Sequence, residues 1–141
     1  MTDAAAQVQK LLRQQAAIAR FGSFALRERN LMNILAEAVR VCAEGLGVPF
    51  SKVCRYRAEE DDLLIVAGFG WQDGVVGCVV SRADMSSPQG RAFTTGLPSI
   101  VDDLQKVPDF EPPPFYAAHG IVSIIDVIIK GNDDQPYGIL E

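Results

Sequence analysis

Residues 121–130 read Ile-Val-Ser-Ile-Ile-Asp-Val-Ile-Ile-Lys. They are followed by Gly131-Asn132-Asp133-Asp134 and then by Tyr137-Gly138-Ile139-Leu140-Glu141. The first run is dominated by β-branched residues and has the strongest strand character in the chain. Gly-Asn-Asp-Asp is a turn, because these residues tolerate left-handed backbone or bond to their own main chain. The last run starts a second strand. Strands joined this closely pair antiparallel, since a parallel pair needs a long crossover. One residue is out of place: Asp126 sits inside the apolar run, and it is expected to face solvent at an edge or to meet an arginine of the helices. The run Ile121 to Ile129 is also too short to span a bilayer, and Ser123 and Asp126 interrupt it.

Upstream, Asp102 to Pro114 is a polar, proline-rich loop, with one helical turn predicted at Phe115 to His119. Pro98 to Val101 is a short strand. Ser86-Ser87-Pro88 opens a short helix over Gln89 to Thr95 that Gly96 ends. Strands are predicted at Ser51 to Arg57, Leu63 to Phe69 and Val75 to Val80. In the first of these, Val53 and Ser51 share one face, and Cys54 and Tyr56 the other. Before them, Leu31, Ile34, Leu35, Ala38, Val41, Cys42 and Leu46 recur at helical spacing behind an Asn30 cap, and Gly45, Gly47 and Pro49 stop the helix. Ala4 to Leu26 is a second helical stretch with a weak heptad stripe (Leu11, Ile18, Ala25; Leu12, Ala19, Leu26) that suits either a partner helix or the domain's own sheet. Gly22-Ser23 is expected to bend or break it. Helices followed by hairpin-linked strands indicate an α+β sheet domain, not a βαβ repeat.

The 141 residues fit one domain, and 48% hydrophobic with 22% charged residues is the balance of a globular protein. The N-terminus lacks the basic and apolar regions of a secretory signal. Cys42, Cys54 and Cys78 are odd in number, widely spaced and in apolar company, which reads as reduced thiols of a cytoplasmic protein. Residues 1–57 hold nine Lys or Arg against four Asp or Glu, and residues 58–141 hold four against fourteen. The acidic part carries the loops, so nucleic acid is excluded as a partner of the main body.

Several segments together carry a resemblance: Gly74-Val75-Val76-Gly77, Gly90 to Pro98 (Gly-Arg-Ala-Phe-Thr-Thr-Gly-Leu-Pro), Val101-Asp102-Asp103-Leu104, Phe110, His119 to Ser123, and Tyr137 to Glu141. With the two helices and the turn Ala43 to Val48, their order and spacing resemble the GAF domain family from about Gln14 onward. The resemblance implies a central antiparallel sheet with N-terminal helices on one face. Loops and short helices cover the other face and enclose a pocket, a GAF/PAS-like layout. It divides the chain into a linker or dimerisation helix, 1–26, and a GAF domain, 27–141. The chain stops inside a strand and is expected to be a piece of a longer signalling protein.

In that layout the pocket lining falls to Phe69, Trp71, Val79, Phe93, Phe110, Tyr116, His119, Ser123 and Ile125, aromatic and apolar with a few polar groups. The same side chains could equally fill the core. The family's ligand types make separate demands. Bilin attachment needs a pocket thiol, and the loop Glu111 to Ala118 has no cysteine. Haem needs an axial ligand, and His119, the only histidine, reads better as a loop cap. The Asn-Lys-Phe-Asp-Glu signature of cyclic-GMP-binding relatives is absent, and Arg82 and Arg91 are the only nearby phosphate partners. Neither a multi-histidine nor a cysteine metal site is spelled out. The leading expectation is therefore a non-catalytic sensory domain. It would bind a small molecule or relay a conformational signal to an output domain of the same polypeptide, with a sensor histidine kinase as the leading parent. It would pair as a homodimer through the N-terminal helix. The alternatives are a dimerisation module with a filled pocket and, more remotely, a cysteine-based free methionine sulfoxide reductase resting on Cys78.

Overall fold

The computed structural model describes residues 2–132 and 135–141. Its chain runs α1 (Asp3–Arg27), α2 (Leu31–Leu46), β1 (Ser51–Arg57), β2 (Asp62–Phe69), β3 (Val79–Arg82), α3 (Pro88–Thr95), β4 (Ser99–Val101), a 3-10 turn (Leu104–Lys106), α4 (Pro114–Ala118), β5 (Ile124–Lys130) and β6 (Pro136–Leu140). The strands form a six-stranded sheet in the order β3-β2-β1-β6-β5-β4, with antiparallel neighbours throughout. This is the α+β sheet domain expected from the sequence. Asp133 and Asp134 of the expected turn lie outside the described residues.

Local chemistry sets the boundaries. Thr2 caps α1, Asn30 caps α2 through the amides of Met32 and Asn33, and Ser87 caps α3 through the amide of Gly90. Gly47 and Gly96 close α2 and α3 in the left-handed conformation. The helix α1 runs unbroken through Gly22-Ser23, contrary to expectation. An interior glycine costs a helix only about 1 kcal/mol, and α1 has a tertiary anchor in the Gln14 amide, which donates to the Gly45 carbonyl at 2.8 Å. Residues 121–123 also depart from the expected strand. The Ile121 N–H donates to the Tyr116 carbonyl, and the Val122 carbonyl accepts from Leu104, so this segment is tied to the loops and not to the ladder.

The two faces of the sheet are covered differently. On one face α2 packs Leu35 and Val39 against Val53 and Ala67, with Phe69, Ile129, Tyr137 and Leu140 around them. On the other, Cys54, Leu63, Ile65, Ile124 and Ile139 meet Ala92 of α3, Leu104 and Tyr116 of α4. A bulge in β2 sets which residues face which way. Val53 pairs with Ala67 but Cys54 pairs with Ile65, so Val66 is the extra residue and the side-chain alternation flips there. Close backbone approaches need glycine at positions that include Gly90 and Gly138. A Cβ on Gly138 would lie 1.9 Å from the Cys54 carbonyl oxygen, and one on Gly90 would lie 1.9 Å from that of Asp84.

Candidate functional site

Alternation along β1, β5 and β6 sends Lys52, Asp126 and Glu141 to the loop-covered face, alongside Cys54, Ile124 and Ile139. Gln89 of α3 and Tyr116 of α4 come down on them. All five are buried: Lys52, Gln89 and Asp126 have no accessible surface, Tyr116 has 1%, and the Glu141 side chain 5%. The Lys52 ammonium forms an ion pair with Glu141 and donates to the Tyr116 hydroxyl at 2.8 Å. The Tyr116 hydroxyl donates to the Glu141 carboxylate at 2.8 Å. The Gln89 amide donates to Tyr116 Oη at 2.7 Å and to Glu141 Oε2 at 2.6 Å. Lys52 Nζ also lies 4.6 Å and 5.1 Å from the ring centres of Tyr116 and Trp71, within cation–π range. Main-chain bonds in both directions between Lys52 and Glu141 hold the pair at the centre of the sheet.

Asp126 is left over. Neither of its carboxylate oxygens has a hydrogen-bond partner among the described residues, and neither does Gln89 Oε1. Nor does Asp126 face solvent or meet a helix arginine, as the sequence suggested. Its place on β5 between Ile124 and Ile128 turns it inward, and the arginines of α1 and α2 lie across the sheet. Burial raises its carboxyl to about 7, and the charge of Lys52 opposes that rise. Burial likewise pulls the Lys52 ammonium down, against the charges of Cys54 and Asp126. Burial pushes the Cys54 thiol up to about 12, which makes it a poor nucleophile.

Beside the cluster stands an aromatic group. Trp71 stacks on Phe50 at 4.7 Å, and both rings meet the edge of His119. The Trp71 indole donates to the Ser51 carbonyl at 2.9 Å. Both His119 nitrogens are engaged: Nδ1 lies 2.8 Å from the Phe115 carbonyl, and Nε2 accepts from the Gln72 amide at 3.0 Å. A metal on Nε2 would displace that bond. A cavity of about 460 Å³ opens next to this group. Its walls come from Cys42, Leu46 and Val48 to Phe50 on one side and from Gly120 to Ile125, Val127 and Leu140 on the other, with Trp71 and Glu141 also in contact.

The residues named from the sequence are therefore distributed over several places. Phe93, Phe110 and Tyr116 lie in the loop-side core. Trp71, Ser123 and Ile125 line the cavity, and His119 touches Trp71 from the loop side. Phe69 lies on the helix-covered face, carried there by the β2 bulge, and Val79 is 41% exposed. Lys52, Gln89 and Glu141 were not anticipated. The one usable signal was the alternation of β1, which puts Lys52 on the same face as Cys54 and Tyr56. Among the described residues no cluster of metal-binding side chains occurs, and no helix is long and apolar enough to cross a membrane.

The profile of the GAF domain family matches residues 30–141. No curated protein sequence matches the chain. Among solved structures, the fold is similar to the GAF domain of a Coxiella burnetii phosphoenolpyruvate-protein phosphotransferase, at 15% identity over 92% of this chain and 76% of that one, with a TM-score of 0.78. The corresponding domain from Acinetobacter gives 16% identity over 91% and 74%, with a TM-score of 0.73. The free methionine-R-sulfoxide reductase of Neisseria meningitidis, solved with its substrate, gives 20% identity over 99% and 74%, with a TM-score of 0.69.

Proposed function

Because the chain belongs to the GAF domain family, we propose that it is a non-catalytic sensory domain that takes a small molecule next to its buried polar cluster and relays its occupancy to an output domain. The observation that carries this reading is the buried polar cluster. Desolvating an ion pair costs several kcal/mol, and an apolar replacement of the same volume is often as stable or more so. A stability role alone therefore gives little reason for Lys52, Glu141 and an unpartnered Asp126 in one core. A binding role does, because a ligand repays the desolvation. The cavity of about 460 Å³ has the volume of a small-molecule site; it opens on the α2 side of β5 and β6 and borders the cluster at Glu141.

The relay runs through the helices. No residue of α1 is buried, and it displays Val8, Leu11, Leu12, Ile18 and Leu26 to solvent. That stripe is offered to a second copy of the chain, and pairing through α1 in the cytoplasm would pass a change in the sheet to an output domain, with a histidine kinase as the leading candidate. The same stripe supports the second reading, a dimerisation module with a filled interior. Reductase chemistry at Cys78 is disfavoured because burial keeps Cys54 protonated and the Cys78 thiol is bonded to the Gly74 carbonyl at 3.1 Å. Native mass spectrometry of freshly purified protein, with an absorption spectrum of the same sample, tests the proposal. A co-purified small mass or a visible band supports it. A bare dimer moves the function to dimerisation. Methionine sulfoxide turnover that disappears in Cys78→Ser would overturn the non-catalytic assignment.

A further inference from the structure

The start of α1 has no packing partner in its own chain. The Gln14 side chain is held by the Gly45 carbonyl, and α2 ends one residue later at Leu46. Every residue from Thr2 to Arg13 is exposed. Asp3 to Arg13 therefore form a helical arm about 16 Å long that runs past the end of α2. A helix this short is marginal unless an apolar face is packed, and the arm has such a face. Val8, Leu11 and Leu12 fall at i, i+3 and i+4 and are 52–64% exposed. Lys10 and Arg13 turn the other way, into a cleft that they line with Glu37 and Glu44 of α2.

A matching surface opens at the same end of the molecule. α2 packs on β1 and β2. Beside it the cavity of about 460 Å³ is an open groove whose walls include Leu46, Val48, Val122 and Ile125, each 41–60% exposed. Among the described residues, neither α1 nor any Lys or Arg lines it. Its rim is acidic. Asp73 is two residues from Trp71 in the wall, and Asp102 and Asp103 precede Leu104, whose N–H donates to the Val122 carbonyl. None of these three carboxylates, and neither Lys10 nor Arg13, is in an ion pair among the described residues. Resting on the pairing through α1 read above, we infer that a second copy of the chain seats its arm in this groove. Val8, Leu11 and Leu12 lie against Leu46, Val122 and Ile125, the i, i+3, i+4 anchoring of a helix in a groove. The basic arm and the acidic rim attract each other. Because arm and groove share one end of the molecule, two copies trade arms about a two-fold axis and the assembly closes. A small molecule in the groove competes with the arm, which couples its occupancy to pairing.

The test uses the whole chain. Sedimentation velocity over a concentration series should show a monomer–dimer equilibrium. Its dissociation constant should rise at least tenfold in the double variant Leu11→Glu, Leu12→Glu and in Val122→Glu. All three side chains are exposed in the single chain, so the variants should keep the circular dichroism of the unmodified protein. Cross-linking locates the arm, because the half-buried Cys42 lines the groove. In a Cys78→Ser background, Val8→Cys, Leu11→Cys and Leu12→Cys are made singly and oxidised. At least one should give a disulfide-linked dimer, and adding Cys42→Ser should abolish it. A linked dimer that survives Cys42→Ser puts the arms against each other. That result, or a dimer that Val122→Glu leaves intact, overturns the groove assignment and leaves pairing through α1 standing. A chain that stays monomeric throughout the series overturns both.

Discussion

The two faces of one sheet solve the burial problem in opposite ways. Under α2, Leu35, Val39, Val53 and Ala67 form a small apolar layer in which no side chain needs a partner. Under α3 and α4, the larger core of Cys54, Leu63, Ile65, Ile124 and Ile139 surrounds an ion pair, a phenol, an amide and a lone carboxylate. The first arrangement stabilises through area removed from water, at roughly 25 cal/mol per Å². The second gives up part of that gain to hold charge out of water. The polar arrangement lies on the face closed by short helices and loops.

Mutations can pull this contrast apart, beginning with the largest effect. Lys52→Met leaves Glu141 and Asp126 buried without a cation. The expected loss is about 3–5 kcal/mol in urea unfolding, and a loss below about 1 kcal/mol would mean that the pair is not buried as described. On the opposite face, Leu35→Ala removes volume and no charge. It should cost about 2–4 kcal/mol, with the same value at pH 5 and pH 8. Asp126→Asn should act with the reverse sign. The carboxyl is raised in the folded state to about 7 from 3.8, so its contribution to stability is fully present below pH 3.8 and is lost as the pH rises through 7. The Asn variant should match the unmodified protein near pH 4 and exceed it by up to about 4 kcal/mol at pH 8; parallel pH–stability curves for the two would contradict this. The smallest effect is that of Tyr116→Phe, which removes one hydroxyl shared by Lys52, Gln89 and Glu141. A loss of about 1–2 kcal/mol is expected by thermal unfolding.

Much of the fold was legible because its signals are local. The Asn30 and Ser87 caps, the Gly47 and Gly96 stops and the β-branched run in β5 each depend on neighbours in sequence. The layered arrangement came from the GAF resemblance. The site was less legible, for two physical reasons. First, a one-residue bulge at Val66 moves every later side chain of β2 to the other face, so Phe69 joins the helix side, and no residue type announces the bulge. Second, the cluster joins Lys52, Gln89, Tyr116, Asp126 and Glu141 across as many as 89 positions of sequence. Each looks ordinary alone, and only the pairing of β1 with β6 brings Lys52 to Glu141. Asp126 did stand out in its apolar strand. Expecting it at solvent treated an unpaired buried carboxylate as too costly to keep, and the structure keeps it buried all the same.

The most direct test of the buried cluster is the titration of Asp126 itself, followed by the carbon NMR shift of its side-chain carboxyl, with Asp126→Asn to assign the signal. The account predicts a midpoint near 7 for the unliganded domain. A midpoint in the ordinary carboxylate range, near 4, would show that Asp126 is solvated or already paired, and would remove the unpaired carboxylate on which the binding role rests.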